Sequence, residues 1–119
     1  MITPLACSLV GLEQPVTIVP GTRAASLYGP TAIATEPYYC NYGVNPDYER
    51  LLDAHGLRVS GRGGDGEVRI VELPPHPFFL ATLFLPQARS TASAPHPLLA
   101  GYAAAVAAYR RTRVGPGAR

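Results

Sequence analysis

His76-Pro77-Phe78-Phe79-Leu80-Ala81-Thr82-Leu83-Phe84-Leu85-Pro86-Gln87 is the stretch on which the reading of this chain turns. Between its prolines, Phe78–Phe84 is an almost unbroken apolar run. Such a run fits a strand buried on both faces, which calls for layers on each side of a sheet. Just upstream, Val68, Ile70 and Leu73 alternate with Glu67, Arg69 and Glu72, so Val68–Leu73 reads as a strand with one wet face. Leu57–Ser60 reads as its hairpin partner. The residues between them, Gly61-Arg62-Gly63-Gly64-Asp65-Gly66, formally match a dinucleotide-binding glycine pattern. That motif needs a helix after it. Here a strand follows, and Asp65-Gly66 is a hairpin-turn dipeptide, so the match is read as false.

Further upstream, Asn45-Pro46 opens a helix, with Asn45 as N-cap and Pro46 in the first turn. Tyr48, Leu51, Leu52 and His55 recur at helical spacing and predict one buried face, and Gly56 closes the helix. Val16–Val19 and Tyr39–Val44 read as strands. Ala24–Tyr28 and Ala32–Thr35 read as short strands or irregular structure, parted by Gly29-Pro30. Downstream, a second helix starts at Pro97, and Leu99, Tyr102, Val106 and Tyr109 predict a stripe packed on the sheet. Two helices and roughly five or more short strands, mixing a helical crossover with hairpins, predict an α/β fold with a mixed sheet. A sheet with so few helices leaves a face or an edge uncovered, so the chain reads as part of something larger.

The 119 residues bound the chain to one domain or a part of one, with 47% apolar and 15% charged residues. All ten basic residues are arginine. They are scattered except at the C-terminal end, which argues against a nucleic-acid-binding patch. No basic segment precedes an apolar run at the N-terminus, and no apolar stretch approaches the ~20 residues that span a bilayer. The expectation is a cytoplasmic protein with two free thiols, Cys7 and Cys40, no metal, no cofactor, and no nucleic-acid or membrane partner. Residues 1–111 read as the domain and 112–119 as a flexible Gly/Pro/Arg tail.

Several blocks resemble the glutaminase domain of CTP synthases, a class I glutamine amidotransferase with a flavodoxin-like fold. They are Tyr42-Gly43-Val44-Asn45-Pro46-Asp47-Tyr48, Gly56–Gly61, Asp65-Gly66, Val71-Glu72-Leu73, His76–Thr82 and Pro95-His96-Pro97-Leu98, in the family's order and at about its spacing. The resemblance runs from roughly Tyr28 to Tyr102, the C-terminal half of such a domain. It implies a Cys nucleophile, a His base and a Glu that orients the His. The family's Phe-His-Pro-Glu block reads Phe84-Leu85-Pro86-Gln87 here, so Leu85 stands in the place of the His and Gln87 in that of the Glu. Loss of a general base costs about 10²–10⁴-fold.

Neither Cys7 nor Cys40 has the flanks of the family's Gly-x-Cys-x-Gly elbow. The resemblance places a substrate-carboxylate arginine where Asn41 stands, within Tyr38-Tyr39-Cys40-Asn41. This altered pattern resembles the CTP-synthase C-terminal-region-related proteins, an offshoot of the family.

The resemblance thus implies a fold more firmly than an activity. The leading expectation is a degenerate amidotransferase-like domain without glutaminase activity that binds a small molecule or a partner, with Tyr39, Cys40, Asn41, Leu85 and Gln87 as ligand-binding candidates. The alternatives are an enzyme using Cys40 as nucleophile, or a CTP-synthase-like fragment. Amination of UTP would need a separate ATP-binding domain, and no P-loop pattern occurs here. If the chain is short by nature, its open sheet edge predicts a homodimer or a complementing N-terminal amidotransferase half.

Overall fold

Residues 1–113 are described by a computed structural model. They run β1 (Ile2–Pro4), β2 (Leu12–Ile18), α1 (Arg23–Tyr28), β3 (Ile33–Tyr38), β4 (Tyr42–Val44), α2 (Glu49–Ala54), β5 (Arg58–Gly63), β6 (Val68–Glu72), β7 (Leu80–Thr82) and α3 (Pro97–Arg113). Short 3-10 turns occupy Pro46–Tyr48 and Pro86–Arg89. Five strands form one sheet in the order β3-β2-β5-β6-β7, and β1 pairs with β4 in a second, two-stranded sheet. Every pairing among the described residues is antiparallel. The α/β class stands, but the parallel pairing expected of a mixed sheet is not among these strands.

The β5–β6 hairpin forms where the Asp65-Gly66 turn was read. Gly66 takes φ 85°, Asp65 Oδ1 accepts from the Glu67 N–H at 3.0 Å, and the Gly66 N–H reaches the Gly63 carbonyl at 2.9 Å. A register shift around Gly61 bends β5 there. A Cβ on Gly61 would lie 2.6 Å from Ile70 Cγ1, so glycine lets the fully buried Ile70 press against the neighbouring strand. Ile70 joins Val16, Ile18, Ala24, Tyr28, Ala34, Tyr38, Phe84 and Leu98 in the core. Burying a side chain of its size contributes about 1.5–3 kcal/mol.

Four expectations are corrected. Phe78–Phe84 is not a strand buried on both faces. Only Leu80–Thr82 pairs, on the sheet edge, with Ala81 and Phe79 exposed. The alternate residues of β6 do not face water either, since Arg69 and Glu72 are both buried.

Ala24–Tyr28 belongs to a helix, α1, and Glu72 explains it. The Glu72 carboxylate accepts from the first-turn N–H groups of Arg23 at 2.9 Å and Ala24 at 3.2 Å. The Thr22 side chain caps Ala25. A negative charge on otherwise unpaired helix N–H groups stabilises a segment that local propensity leaves undecided.

The helical stripes are the fourth correction. In α2 only Leu52 is buried; Tyr48 and Leu51 are exposed, although Asn45 caps the preceding 3-10 turn as expected. In α3, Leu99, Tyr102, Val106 and Tyr109 are all exposed, and the buried residue is Leu98. Helix α3 docks through its first turns, where Gly101 admits Leu27 of α1: a Cβ there would stand 2.5 Å from Leu27 Cδ2. The helix continues through Thr112 and Arg113, past the expected boundary at 111. The rest of the expected tail, residues 114–119, lies outside the described residues. No helix among the described residues is long and apolar enough to cross a membrane.

Candidate functional site

Beyond β3 the chain runs through Tyr39, Cys40 and Asn41 into β4. This link is tied down by its backbone: the Cys40 carbonyl accepts from the Leu9 N–H at 3.0 Å and the Asn41 carbonyl from the Leu5 N–H at 2.8 Å. Leu83–Gln87 lies alongside. The Leu85 N–H donates to the Pro37 carbonyl at 2.9 Å, and the Cys40 thiol points at the Leu83 carbonyl, 3.8 Å away. The fold therefore brings the two altered stretches together, with half-buried Cys40 and Leu85 on the inside. Tyr39, which is 70% exposed, together with Asn41 and Gln87, faces solvent. An apolar groove of about 370 Å³, bounded by Phe78, Leu80, Thr82, Leu98 and Tyr102, reaches Pro86 between Leu85 and Gln87.

Nothing at this place activates a thiol. Burial pushes the Cys40 pKa up, and nearby Arg69 only partly offsets it; a reactive cysteine needs the opposite shift. The three imidazoles are employed elsewhere. His55 ends α2. His76 Nδ1 accepts from the Phe78 N–H at 3.0 Å. His96 is fully buried and engaged through both ring nitrogens: Nδ1 accepts from the Leu98 N–H at 3.0 Å, so Nε2 carries the proton and donates to Glu36 at 2.8 Å. Among the described residues no group of three His, Cys, Asp or Glu side chains could hold a metal.

Glu36 is the residue that sequence reasoning missed. Its carboxylate is wholly buried, yet it gathers three partners. Arg89 donates through Nε and a terminal nitrogen, both at 2.8 Å. His96 donates through Nε2, and the Tyr28 hydroxyl through a short contact. Burial opposes the charge, but the donors from Arg89, Tyr28 and His96 outweigh it and hold the Glu36 pKa below the ordinary carboxylate value. Burial likewise holds His96 below its usual value, with Glu36 opposing. The cluster locks four elements: β3, which leads to Tyr39–Asn41; the end of α1, which carries Tyr28; the 3-10 turn that carries Gln87 and Arg89; and the start of α3. No local signal marks it, because Arg89 and His96 lie 53 and 60 residues from Glu36.

No family model matches the chain. Curated relatives do. The chain is 47% identical over 100 residues to the CTP synthase of Aeropyrum pernix, with 82% of the chain and 18% of that protein covered. It is 41% identical over 103 residues to the CTP synthase of Methanothrix thermoacetophila, with 87% and 18% covered. Among solved structures, the glutaminase domain of Trypanosoma brucei CTPS, with bound acivicin, matches with a TM-score of 0.80 and 31% identity, over 87% of this chain and 41% of that one. The chain thus spans 18% of the length of these curated relatives and under half of the solved domain. The sequence shared with these relatives and the match to the solved glutaminase domain make it part of a glutamine amidotransferase domain of the CTP synthase type.

Proposed function

We propose that this cytoplasmic domain has lost glutamine hydrolysis and serves as a small-molecule or partner-binding module. The carrying observation is Leu85 and Gln87 in the positions that the family resemblance gives to a His and a Glu, beside a Cys40 thiol whose pKa burial pushes up. Leu accepts no proton, and Gln carries no charge to stabilise an imidazolium. Asn41 replaces a cationic carboxylate clamp at the same place. Fold likeness alone does not supply an activity.

The partner in this reading is an N-terminal amidotransferase half. Relatives extend well beyond the matched region, strand β7 offers an open sheet edge, and the exposed stripe of α3 flanks an apolar groove of about 430 Å³ with Phe78. A strand added to β7 would satisfy its free backbone groups. Homodimerisation is the competing arrangement, and light scattering of the chain with and without the added half separates the two.

The test of lost hydrolysis mixes the chain with the segment that precedes the matched region in the Aeropyrum pernix relative, and measures ammonia release from glutamine. No release above background is expected. Restoring Leu85→His with Gln87→Glu is expected to raise it. Hydrolysis by the unaltered mixture, abolished by Gln87→Ala, would overturn the reading.

A further inference from the structure

Two buried donors lie side by side beneath the candidate site with too few acceptors between them. Arg69, in the middle of β6, is only 6% exposed. Its guanidinium sits over the Tyr38 ring, 5.7 Å from the centroid. Among the described residues its acceptors within 3.5 Å are the Val68 carbonyl at 3.3 Å and Asp65 Oδ2 at 3.4 Å. Both lie beyond the usual N–H···O range, and a guanidinium carries five N–H donors. Glu67 stands further off, at 3.9 Å. The Tyr38 hydroxyl is buried and has no partner. Burial pushes its pKa up to about 12 against the pull of Arg69, so it remains a donor at neutral pH. Leaving such groups unmatched costs about 1–3 kcal/mol each.

Arg69 also borders a cavity of about 230 Å³, with Leu9, Gln14, Pro15, Gly63 and Gly64 around it. The glycine matters at position 63, where a Cβ would stand 3.0 Å from Arg69 Nε and 3.1 Å from Cζ. Asp65 closes one side of the cavity from the hairpin turn, with half of its side chain exposed. Its other carboxylate oxygen is held by the Glu67 N–H, so Asp65 can release Arg69 and still keep its turn. Burial and Asp65 push the Glu67 carboxyl above its ordinary value, with Arg69 opposing.

We propose that Arg69, with the buried Tyr38 ring behind it, forms the anchoring end of a binding site for a small carboxylate-bearing molecule, whose carboxylate replaces Asp65 on the guanidinium. Arginine suits this task because its planar fork meets a carboxylate through two parallel bonds. The cavity is smaller than the roughly 300–1,000 Å³ of drug-sized pockets, which limits the ligand to a small metabolite. Such a site would return to the domain, from β6, the cation that Asn41 does not provide. The inference rests on the reading that this domain binds a small molecule, but a failure here leaves the glutamine test at Leu85 and Gln87 untouched.

The experiment titrates the chain with succinate, with uncharged succinamide as control and inorganic phosphate as competitor. It follows the arginine Nε–Hε resonances and the thermal unfolding midpoint. Saturable binding of succinate with a shift of the Arg69 resonance is expected, with none for succinamide and phosphate competing weakly. Asp65→Asn should tighten binding severalfold, because the internal competitor is gone. Arg69→Met should weaken it at least tenfold. Absence of a saturable Arg69 shift in both the unaltered chain and Asp65→Asn would overturn the proposal. So would equal binding by Arg69→Met, or phosphate binding as tightly as succinate.

Discussion

Glu36 on β3 and Arg69 on β6 are both charges buried against the same sheet, and the fold treats them in opposite ways. Glu36 meets hydrogen bonds from Arg89, His96 and Tyr28, drawn from three elements. Arg69 has two long contacts and a neighbouring hydroxyl with no partner. A buried charge with its full set of donors is a structural knot, because removing any strand of it leaves the others uncompensated. A buried charge with loose partners is held ready for something else. The difference separates a residue that the fold needs from one that a ligand can use.

The strongest way to break this contrast is Glu36→Ala. It should lower the free energy of unfolding by about 3 kcal/mol, toward the lower end for a broken buried pair because the Arg89 side chain is 40% exposed and can turn to water. Urea denaturation reads this directly, and a loss below about 1 kcal/mol would remove the knot from the account.

The second test is acid. The folded pKa of His96 lies below its ordinary value, so an unfolded chain takes up that proton first. Its contribution is therefore complete above about pH 6.5 and declines as pH falls below that toward the folded pKa. Glu36, also depressed, adds a further loss as pH drops below the ordinary carboxylate value of about 4.5 toward its folded pKa. Unfolding midpoints measured from pH 8 to pH 4 should fall throughout the acid limb, and His96→Gln should flatten its upper part.

The smallest effects belong to Arg69 and its neighbour Tyr38. Arg69→Met and Tyr38→Phe should each change stability by within about 1 kcal/mol, since an apolar side chain of similar shape replaces a poorly matched polar one. A loss above that for Tyr38→Phe would mean that the hydroxyl has a partner after all.

What could be read from the sequence was what neighbouring residues decide among themselves. The Asp65-Gly66 turn and its hairpin are local, as is the Asn45 cap. The family blocks preserve order and spacing, so the likeness to CTP synthases could be read before any coordinates. The failures are non-local. Helix α1 depends on a carboxylate from β6, 49 residues on. The burial of Arg69 and Glu72 depends on what covers β6, which alternation cannot reveal. Phe78–Phe84 is apolar enough for a central strand, but only three of its residues pair, at the sheet edge. At the candidate site, the family positions marked Tyr39–Asn41 and Leu85–Gln87 as candidates, whereas the Glu36 cluster has no signature that spacing could expose.

Helix α3 carries a last consequence. It has 17 residues, and its buried anchor, Leu98, lies at the start. Its far half has little of the body to lean on. That half is built from Ala103, Ala104, Ala105, Ala107 and Ala108, the best helix former, with Arg110, Arg111 and Arg113 at the negative end of the dipole. Helices of about 12–15 residues are only marginal alone in water, so amide exchange should quicken steadily from Gly101 toward Arg113. The composition nevertheless lays the Tyr102–Val106–Tyr109 ridge out in advance. Any surface that docks there meets a rail already straight, and avoids most of the ordering cost that weakens recognition by disordered segments.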